Sequence, residues 1–373
     1  MLPILDEPSK AGIVLANGVN PLYGQFDPYH MAMNAIDEAL RNLTAVGGDI
    51  EKAAILDNFC WGNPTDPAQL GMLVRAVKGC HDAAIGFGTP FISGKDSLNN
   101  EYRTSEQRLP VIPTLVISAV GIIDDAAQTV DMSLKRAGNL IYQVGATRNE
   151  LAGSHYAEIV QATVAAAAAP GTTVPQVDPT TARTTMKAVG AAIRAGLVQS
   201  CHDLSEGGLA VAAAEMSLAG LLGMTIDLED LRVWAPFADA REGMGVPKGG
   251  RLSEKDTIST ILLFSESPSR FLVEVAPLQQ EAFEAHMRLY GINDVSCIGL
   301  VTGKGSVYRG SGERMSSVAD RAMWEGKECS GASLADIAMG EGEAERFLVR
   351  HGEETLIDLP IVALQQAWKG GQA

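Results

Sequence analysis

The sequence predicts an α/β (α+β) chain organised as two successive units. Three observations carry that expectation. Short apolar runs alternate with segments of helical periodicity up to about residue 130. The alternation restarts at Leu140. Hydrophobic residues at 46% and charged residues at 20% of 373 are the balance of a globular protein with a substantial core.

In order along the chain, Gly12–Ala16 reads as a strand that runs into the loop Asn17-Gly18-Val19-Asn20-Pro21. Asp27-Pro28 supplies an N-cap and a first-turn proline for a helix whose apolar side is Ala32, Ile36, Leu40 and Leu43. Lys52–Leu56 is a strand delivering Asp57, and a second helix from Asp66-Pro67 is expected to bury Leu70, Val74 and Val77. Pro90–Ser93 is the next strand, and Pro110–Ile123 a long buried one. In the second unit Leu140–Val144 is a strand and Thr184–Leu197 an amphipathic helix through Met186, Val189, Ile193 and Leu197. Val198–Cys201 leads into a loop at Asp203, Gly207–Ala219 is a helix, Ile261–Phe264 and Phe271–Val275 read as paired strands, and a helix covers Gln279–Leu289. Ala165–Ala169 and Pro236–Glu254 read as surface inserts, and beyond Gly303 the pattern weakens into Gly-, Ser- and charge-rich sequence.

Lys+Arg 29 against Asp+Glu 45 gives a net charge of -16, so the basic footprint of a nucleic-acid-binding protein is missing. Cys60, Cys80, Cys201, Cys297 and Cys329 are scattered without a CxxC pair, as expected of reduced thiols in a cytoplasmic protein. Met1–Glu7 lacks the basic and apolar regions of a signal peptide, and no run approaches the roughly 20 apolar residues of a membrane span.

The run Ile55-Leu56-Asp57-Asn58-Phe59-Cys60-Trp61-Gly62-Asn63-Pro64 is echoed by Ser93-Gly94-Lys95-Asp96-Ser97-Leu98. Each follows an apolar stretch and breaks into Gly, Asn, Asp and Ser, the composition of a loop whose N–H groups and carboxylates hold phosphate or metal. The same residues also build ordinary surface turns. Glu38 and Asn42 lie four apart on one helix face, roughly opposite Ile36 and Leu40, which by spacing favours a solvated polar surface.

These motifs, with Cys201-His202-Asp203-Leu204-Ser205-Glu206-Gly207-Gly208-Leu209, Gly145–Ser154, Leu263-Phe264-Ser265-Glu266-Ser267 and Leu356-Ile357-Asp358-Leu359-Pro360, resemble the second half of the synthetase portion of the phosphoribosylformylglycinamidine synthase family. The resemblance covers nearly the whole chain. It implies an aminoimidazole ribonucleotide synthetase-like A domain (1–130), half of a β-barrel flanked by helices, with a short first strand over Leu2–Leu5. A larger α/β B domain (131–305) and a tail (306–373) would follow. The activity implied is ATP- and Mg2+-dependent amidation of formylglycinamide ribonucleotide with glutamine-derived ammonia, in purine biosynthesis.

By the same resemblance Asp57, Gly94 and Lys95 would contact ATP, and Ser97 the nucleotide substrate. Lys95 stands where the family's small form has a metal-holding Asn; an ammonium cannot ligate a metal but can neutralise phosphate. Glu38, Asn42 and Asp203 match magnesium ligands of an auxiliary ATP/ADP site, with Ser205 a nucleotide contact. That site's remaining acidic ligand is replaced by Ala16-Asn17-Gly18. Gly18-Val19-Asn20-Pro21 stands in place of a His-Asn-His-Pro loop, so the catalytic histidine is expected from a missing N-terminal synthetase half, and no cysteine sits in a glutaminase nucleophile turn, so a glutaminase subunit or domain is expected as well. His81 and His286 read as structural, His202 as orienting the Asp203 loop, and Trp61 and Trp368 as packing residues. Two other readings compete: a nucleotide-binding scaffold without catalysis, and a complete homodimeric enzyme of the superfamily.

Overall fold

The computed structural model describes residues 2–3, 10–163, 172–235, 254–303 and 346–370. The insert at Ala165–Ala169, and all of Pro236–Glu254 except its last residue, lie outside the described residues. The first unit contains β1 (Leu2–Pro3), β2 (Gly12–Val19), α1 (Pro28–Ala45), β3 (Ala53–Cys60), α2 (Pro67–Phe87), β4 (Phe91–Ser97), the hairpin β5 (Glu101–Arg103) and β6 (Arg108–Pro110), and β7 (Thr114–Ile123). Its sheet runs β1-β2-β7-β3-β4. The parallel pair β3–β4 is joined by α2 as a crossover, and the other neighbours are antiparallel.

Both helices start as the Asp-Pro signals predict. Asp27 accepts from Tyr29 N at 2.9 Å and Asp66 from Ala68 N at 2.9 Å, with proline at the first turn. One face of the sheet shares a core with the helices through Val14, Ile55, Phe59, Leu115, Ile117 and Ala119. Among the described residues the other face is uncovered: Leu15 is 61% and Ile122 46% exposed, beside Asn17 and Asn58. This is the half-barrel arrangement, a sheet with one face closed by helices.

Three expectations for this unit change. β2, β3 and β4 continue through residues read as polar loops, because the neighbouring strands pair with them as far as Val19, Cys60 and Ser97, the β3–β4 register shifting once, between Ile55 and Leu56. The long strand starts at Thr114 rather than Pro110, and it buries alternate residues only. On α2, Leu70, Val74 and Val77 are 46%, 60% and 50% exposed, and the buried side is Ala76, Gly79, Cys80, Ala83 and Phe87. The reason is close helix–helix approach. A Cβ on Gly79 would stand 2.4 Å from the Tyr29 carbonyl oxygen of α1, so α2 turns its small residues, not its large ones, toward its neighbour.

The second unit comprises β8 (Leu140–Val144), β9 (Thr147–Arg148), α3 (His155–Thr163), α4 (Pro179–Arg194), β10 (Ser200–Asp203), α5 (Gly208–Gly220), β11 (Gly223–Asp227), β12 (Val233–Trp234), α6 (Glu254–Phe264), β13 (Phe271–Val275), α7 (Gln280–Leu289), β14 (Val295–Thr302), β15 (Arg346–His351), β16 (Glu354–Pro360) and α8 (Ile361–Trp368). Seven strands form one sheet, β10-β13-β8-β14-β11-β15-β16, antiparallel except for β11–β15. Ile261–Phe264 is therefore the last turn of α6, not a strand; β13 pairs with β10 and β8. α4 begins earlier than its apolar periodicity suggests, at a third Asp-Pro cap in which Asp178 accepts from Thr180 N at 3.1 Å. Residues 346–368, set apart in sequence as tail, add two strands and a helix to the second unit, while 304–345 lie outside the described residues. Trp61 is buried and donates Nε1–H to the Gln69 carbonyl at 3.0 Å, whereas Trp368 is exposed rather than packed.

The units share a core: α1 and α2 pack on α4, and α1 reaches β10. The linker between them is fastened by a buried carboxylate. Glu274 of β13 accepts from Lys135 N (2.9 Å), Arg136 N (3.0 Å), Asn139 Nδ2 (2.6 Å) and Ser200 Oγ (2.7 Å).

Candidate functional site

The predicted site residues fall into two clusters. The first is the β3–β4 pair at the edge of the open sheet. Its register sets Asp57 opposite Gly94, Asn58 opposite Lys95 and Cys60 opposite Ser97. Side chains alternate along a strand, so Asp57 and Gly94 lie on the helix side while Asn58, Lys95 and Ser97 lie on the uncovered side. Asp57 accepts from the Lys95 backbone N–H, and partial burial and the nearby Asp96 carboxylate raise its pKa. Lys95 Nζ donates to Ser97 Oγ on the uncovered face, a cation and a hydroxyl presented together. Gly94 leaves room for the Asp57 carboxylate: a Cβ there would stand 1.9 Å from Asp57 Oδ1. Substituting Gly94→Ala is expected to displace the Asp57 carboxylate and, on the reading proposed below that this edge binds nucleotide, to weaken that binding at least tenfold, about 1.4 kcal/mol. Calorimetric ADP titration within twofold of the parent would refute this.

The second cluster lies where α1 meets the Asp203 loop of the second unit. Glu38 is buried, against the solvated-surface reading, and its Oε2 accepts from Val19 N and Asn20 Nδ2, each at 2.9 Å. Burial, helped by the Glu206 carboxylate, pushes its pKa up to about 8. Asn42 donates Nδ2–H to the Asn17 carbonyl of β2 at 3.0 Å. Asp203 is buried. Its Oδ1 faces His202 Nδ1 at 3.2 Å, and its Oδ2 accepts from Ser205 Oγ and from Arg41 Nη1 at 3.4 Å. Burial alone would raise the Asp203 pKa, but the His202 bond and the Arg41 charge overcome it and hold it at about 2. His202 also contacts Glu215 Oε2 at 2.9 Å through Nε2, which fits its expected role of orienting the loop. Ser205 stands beside Asp203, in the cluster where it was expected, with Arg41 as a further partner.

A pocket between the units is lined by Asn20, Tyr23, Asn34, Glu38, Arg41, Ser205, Glu206 and Glu266. Glu266, in the 265–270 turn, accepts from Tyr23 OH (2.6 Å), Gly207 N (2.8 Å) and His155 N (3.0 Å). Sequence reading missed Tyr23, Arg41 and Glu266 as members of this cluster. Only Arg41 had a local signal, the Asp37–Arg41 spacing of an intrahelical ion pair. The Tyr23–Glu266 contact spans 243 residues of chain. Asp203 does not stand free for magnesium, because its Oδ2 already accepts from a guanidinium and its Oδ1 faces His202.

Among known proteins, the N-terminal domain of AIR synthase related proteins matches residues 7–123, and the C-terminal domain of the same proteins matches residues 136–310. The chain is 36% identical over 226 residues to the phosphoribosylformylglycinamidine synthase subunit PurL of Deinococcus radiodurans, covering 59% of this chain and 29% of that protein. Against the same subunit from a Synechococcus species it is 35% identical over 280 residues, covering 75% and 32%. The structure of T. maritima PurL complexed with FGAR superposes with a TM-score of 0.65 at 17% identity, over 97% of this chain and 47% of that one. The chain spans about a third of the length of the curated relatives it matches. With both domains matched in order and the fold shared, the chain belongs to the AIR synthase related family, in the phosphoribosylformylglycinamidine synthase (PurL) branch.

Proposed function

We propose that the chain acts as the second synthetase half of a phosphoribosylformylglycinamidine synthase and supplies one wall of its ATP-dependent amidation site. The observation that carries this reading is the uncovered β3–β4 edge, where Lys95 and Ser97 stand on a sheet face lacking a cover. In the reaction, ATP phosphorylates the amide oxygen of formylglycinamide ribonucleotide. Ammonia then adds to the resulting iminophosphate carbon, and inorganic phosphate leaves as the amidine forms. Lys95 would neutralise phosphate charge, Ser97 would bind the substrate, Asp57 would accept from the nucleotide, and Gly94 would let both approach the backbone. The catalytic histidine and the ligands of the ATP-borne magnesium would come from the missing half, and ammonia from a glutaminase subunit or domain.

The open face also supports a partner sheet. Leu15 and Ile122 exposed together on a barrel-like sheet favour pairing over solvation. The chain alone is expected to give no detectable amidine from formylglycinamide ribonucleotide, ATP and ammonia. Mixed with a separately produced N-terminal half it is expected to turn over, and Lys95→Met is expected to slow that mixture at least tenfold. Turnover by the chain alone would favour the homodimeric enzyme. An unaffected Lys95→Met mixture would favour the scaffold.

A further inference from the structure

We propose that Arg41 is the resident cation of the joint between the two units, and that Glu38, Asn42 and Asp203 of this chain bind no magnesium. The inference concerns the second cluster and stands apart from the amidation site on β3–β4.

Arg41 leaves α1 with only 4% of its side chain exposed. Its Nη1 donates to the Leu204 carbonyl at 2.6 Å and to Ser205 Oγ at 3.1 Å, and faces Asp203 Oδ2 at 3.4 Å. Its Nε donates to Asp37 Oδ2 at 2.5 Å. Asp37, fully buried, in turn accepts from Ser269 Oγ at 2.6 Å and Ser269 N at 3.1 Å. One guanidinium therefore ties α1 to the 203–205 loop directly and to the 265–270 turn through Asp37. Ser269 is held there at φ 60, a left-handed conformation that a non-glycine residue adopts only when its surroundings fix it.

The carboxylates of Asp37 and Asp203 find their counter-charges within the protein. Arg41 lies between the carboxylates of Asp37 and Asp203, and His202 occupies the remaining Asp203 oxygen. Magnesium needs oxygen ligands at about 2.0–2.1 Å in an octahedron. An ion bound to Asp203 Oδ2 would stand against a buried guanidinium, cation beside cation, in a medium that screens poorly. Space argues the same way. The pocket beside Glu38 and Arg41 measures ≈ 10 Å³, room for roughly one water, and neither Asn42 nor Asp203 lines it.

The test uses the full chain, Mn2+ as a spectroscopic stand-in for magnesium, and ADP. Free Mn2+ is followed by electron paramagnetic resonance while ADP is titrated into the parent, Glu38→Gln and Asp57→Asn proteins. Melting is recorded with Mg2+ and with EDTA. The expected result is that Glu38→Gln binds Mn2+ and ADP within twofold of the parent, and that EDTA shifts melting of the parent by less than 1 °C. Binding lost in Asp57→Asn but kept in Glu38→Gln agrees with the proposal and locates the nucleotide on β3–β4. Absence of ADP binding in every protein also agrees with it, while counting against the β3–β4 reading for the isolated chain. Metal-dependent ADP binding that falls tenfold or more in Glu38→Gln and survives in Asp57→Asn overturns it.

Discussion

Replacing Arg270 by leucine is expected to cost about 2–5 kcal/mol of stability, from buried acceptors left without a donor at about 1–3 kcal/mol each. Arg270 is fully buried and has no carboxylate within hydrogen-bonding distance among its described contacts. Its Nε donates to the Ser267 carbonyl at 2.8 Å, Nη2 to the Ser265 carbonyl at 2.6 Å and Nη1 to Thr147 Oγ1 at 2.8 Å. Burial pulls its pKa down to about 9, partly offset by Glu150, so it stays charged at neutral pH. Swapping a whole buried ion pair for apolar residues is often neutral, but here two of the three acceptors are main-chain carbonyls that a substitution cannot remove. They would be left buried without donors, and the turn that carries Glu266 against Tyr23 would lose its brace. Urea unfolding of Arg270→Leu beside the parent gives the difference directly. A midpoint shift worth less than 1 kcal/mol would mean that water replaces the guanidinium at no cost.

Stability is expected to fall as pH rises from 6.5 to 9, by about 3 kcal/mol from His202. Burial would lower the imidazole pKa, but the carboxylates of Asp203 and Glu215 outweigh it and raise it from 6.5 to about 9. The folded state therefore holds a proton that the unfolded chain has released in this window. The stabilisation is complete below pH 6.5 and gone once pH passes about 9. Glu38 acts in the same direction, because its carboxyl is raised from 4.5 to about 8 and folding retains its proton as well. Asp203, held at about 2, changes nothing in this range. Chemical denaturation at a series of pH values should give a falling curve for the parent and a flatter one for His202→Gln. Parallel curves would show that His202 is not the titrating group.

Much of the architecture was legible in the sequence because its signals are local. Asp27-Pro28 and Asp66-Pro67 act through a side-chain cap and a fixed φ within one turn, so they place helix starts whatever surrounds them. The core side of α1 follows from helical spacing alone, and Ile36, Leu40 and Leu43 are all buried as read. The Asp57 and Gly94 motifs were identifiable, but not their conformation. Their Asn, Asp, Gly and Ser residues have turn-like propensities that pairing with neighbouring strands overrides. Hydrophobicity misassigned the faces of α2, since the decisive quantity is how near α1 can come, and that is set by the missing Cβ of Gly79.

Tertiary structure alone decided the second cluster. Glu38 lies on the helix side that spacing assigned to solvent, and it is buried because the second unit covers that side. Arg41 was one charged residue among many until the fold brought it to Leu204 and Ser205, more than 160 positions along the chain. The return of residues 346–360 to complete the second sheet is a pairing across 304–345, invisible to any local pattern. Sequence determined the elements and the family through interactions within a few residues. Which carboxylate meets a metal and which meets an arginine depends on charges converging from distant segments, and only the packed chain sets those distances.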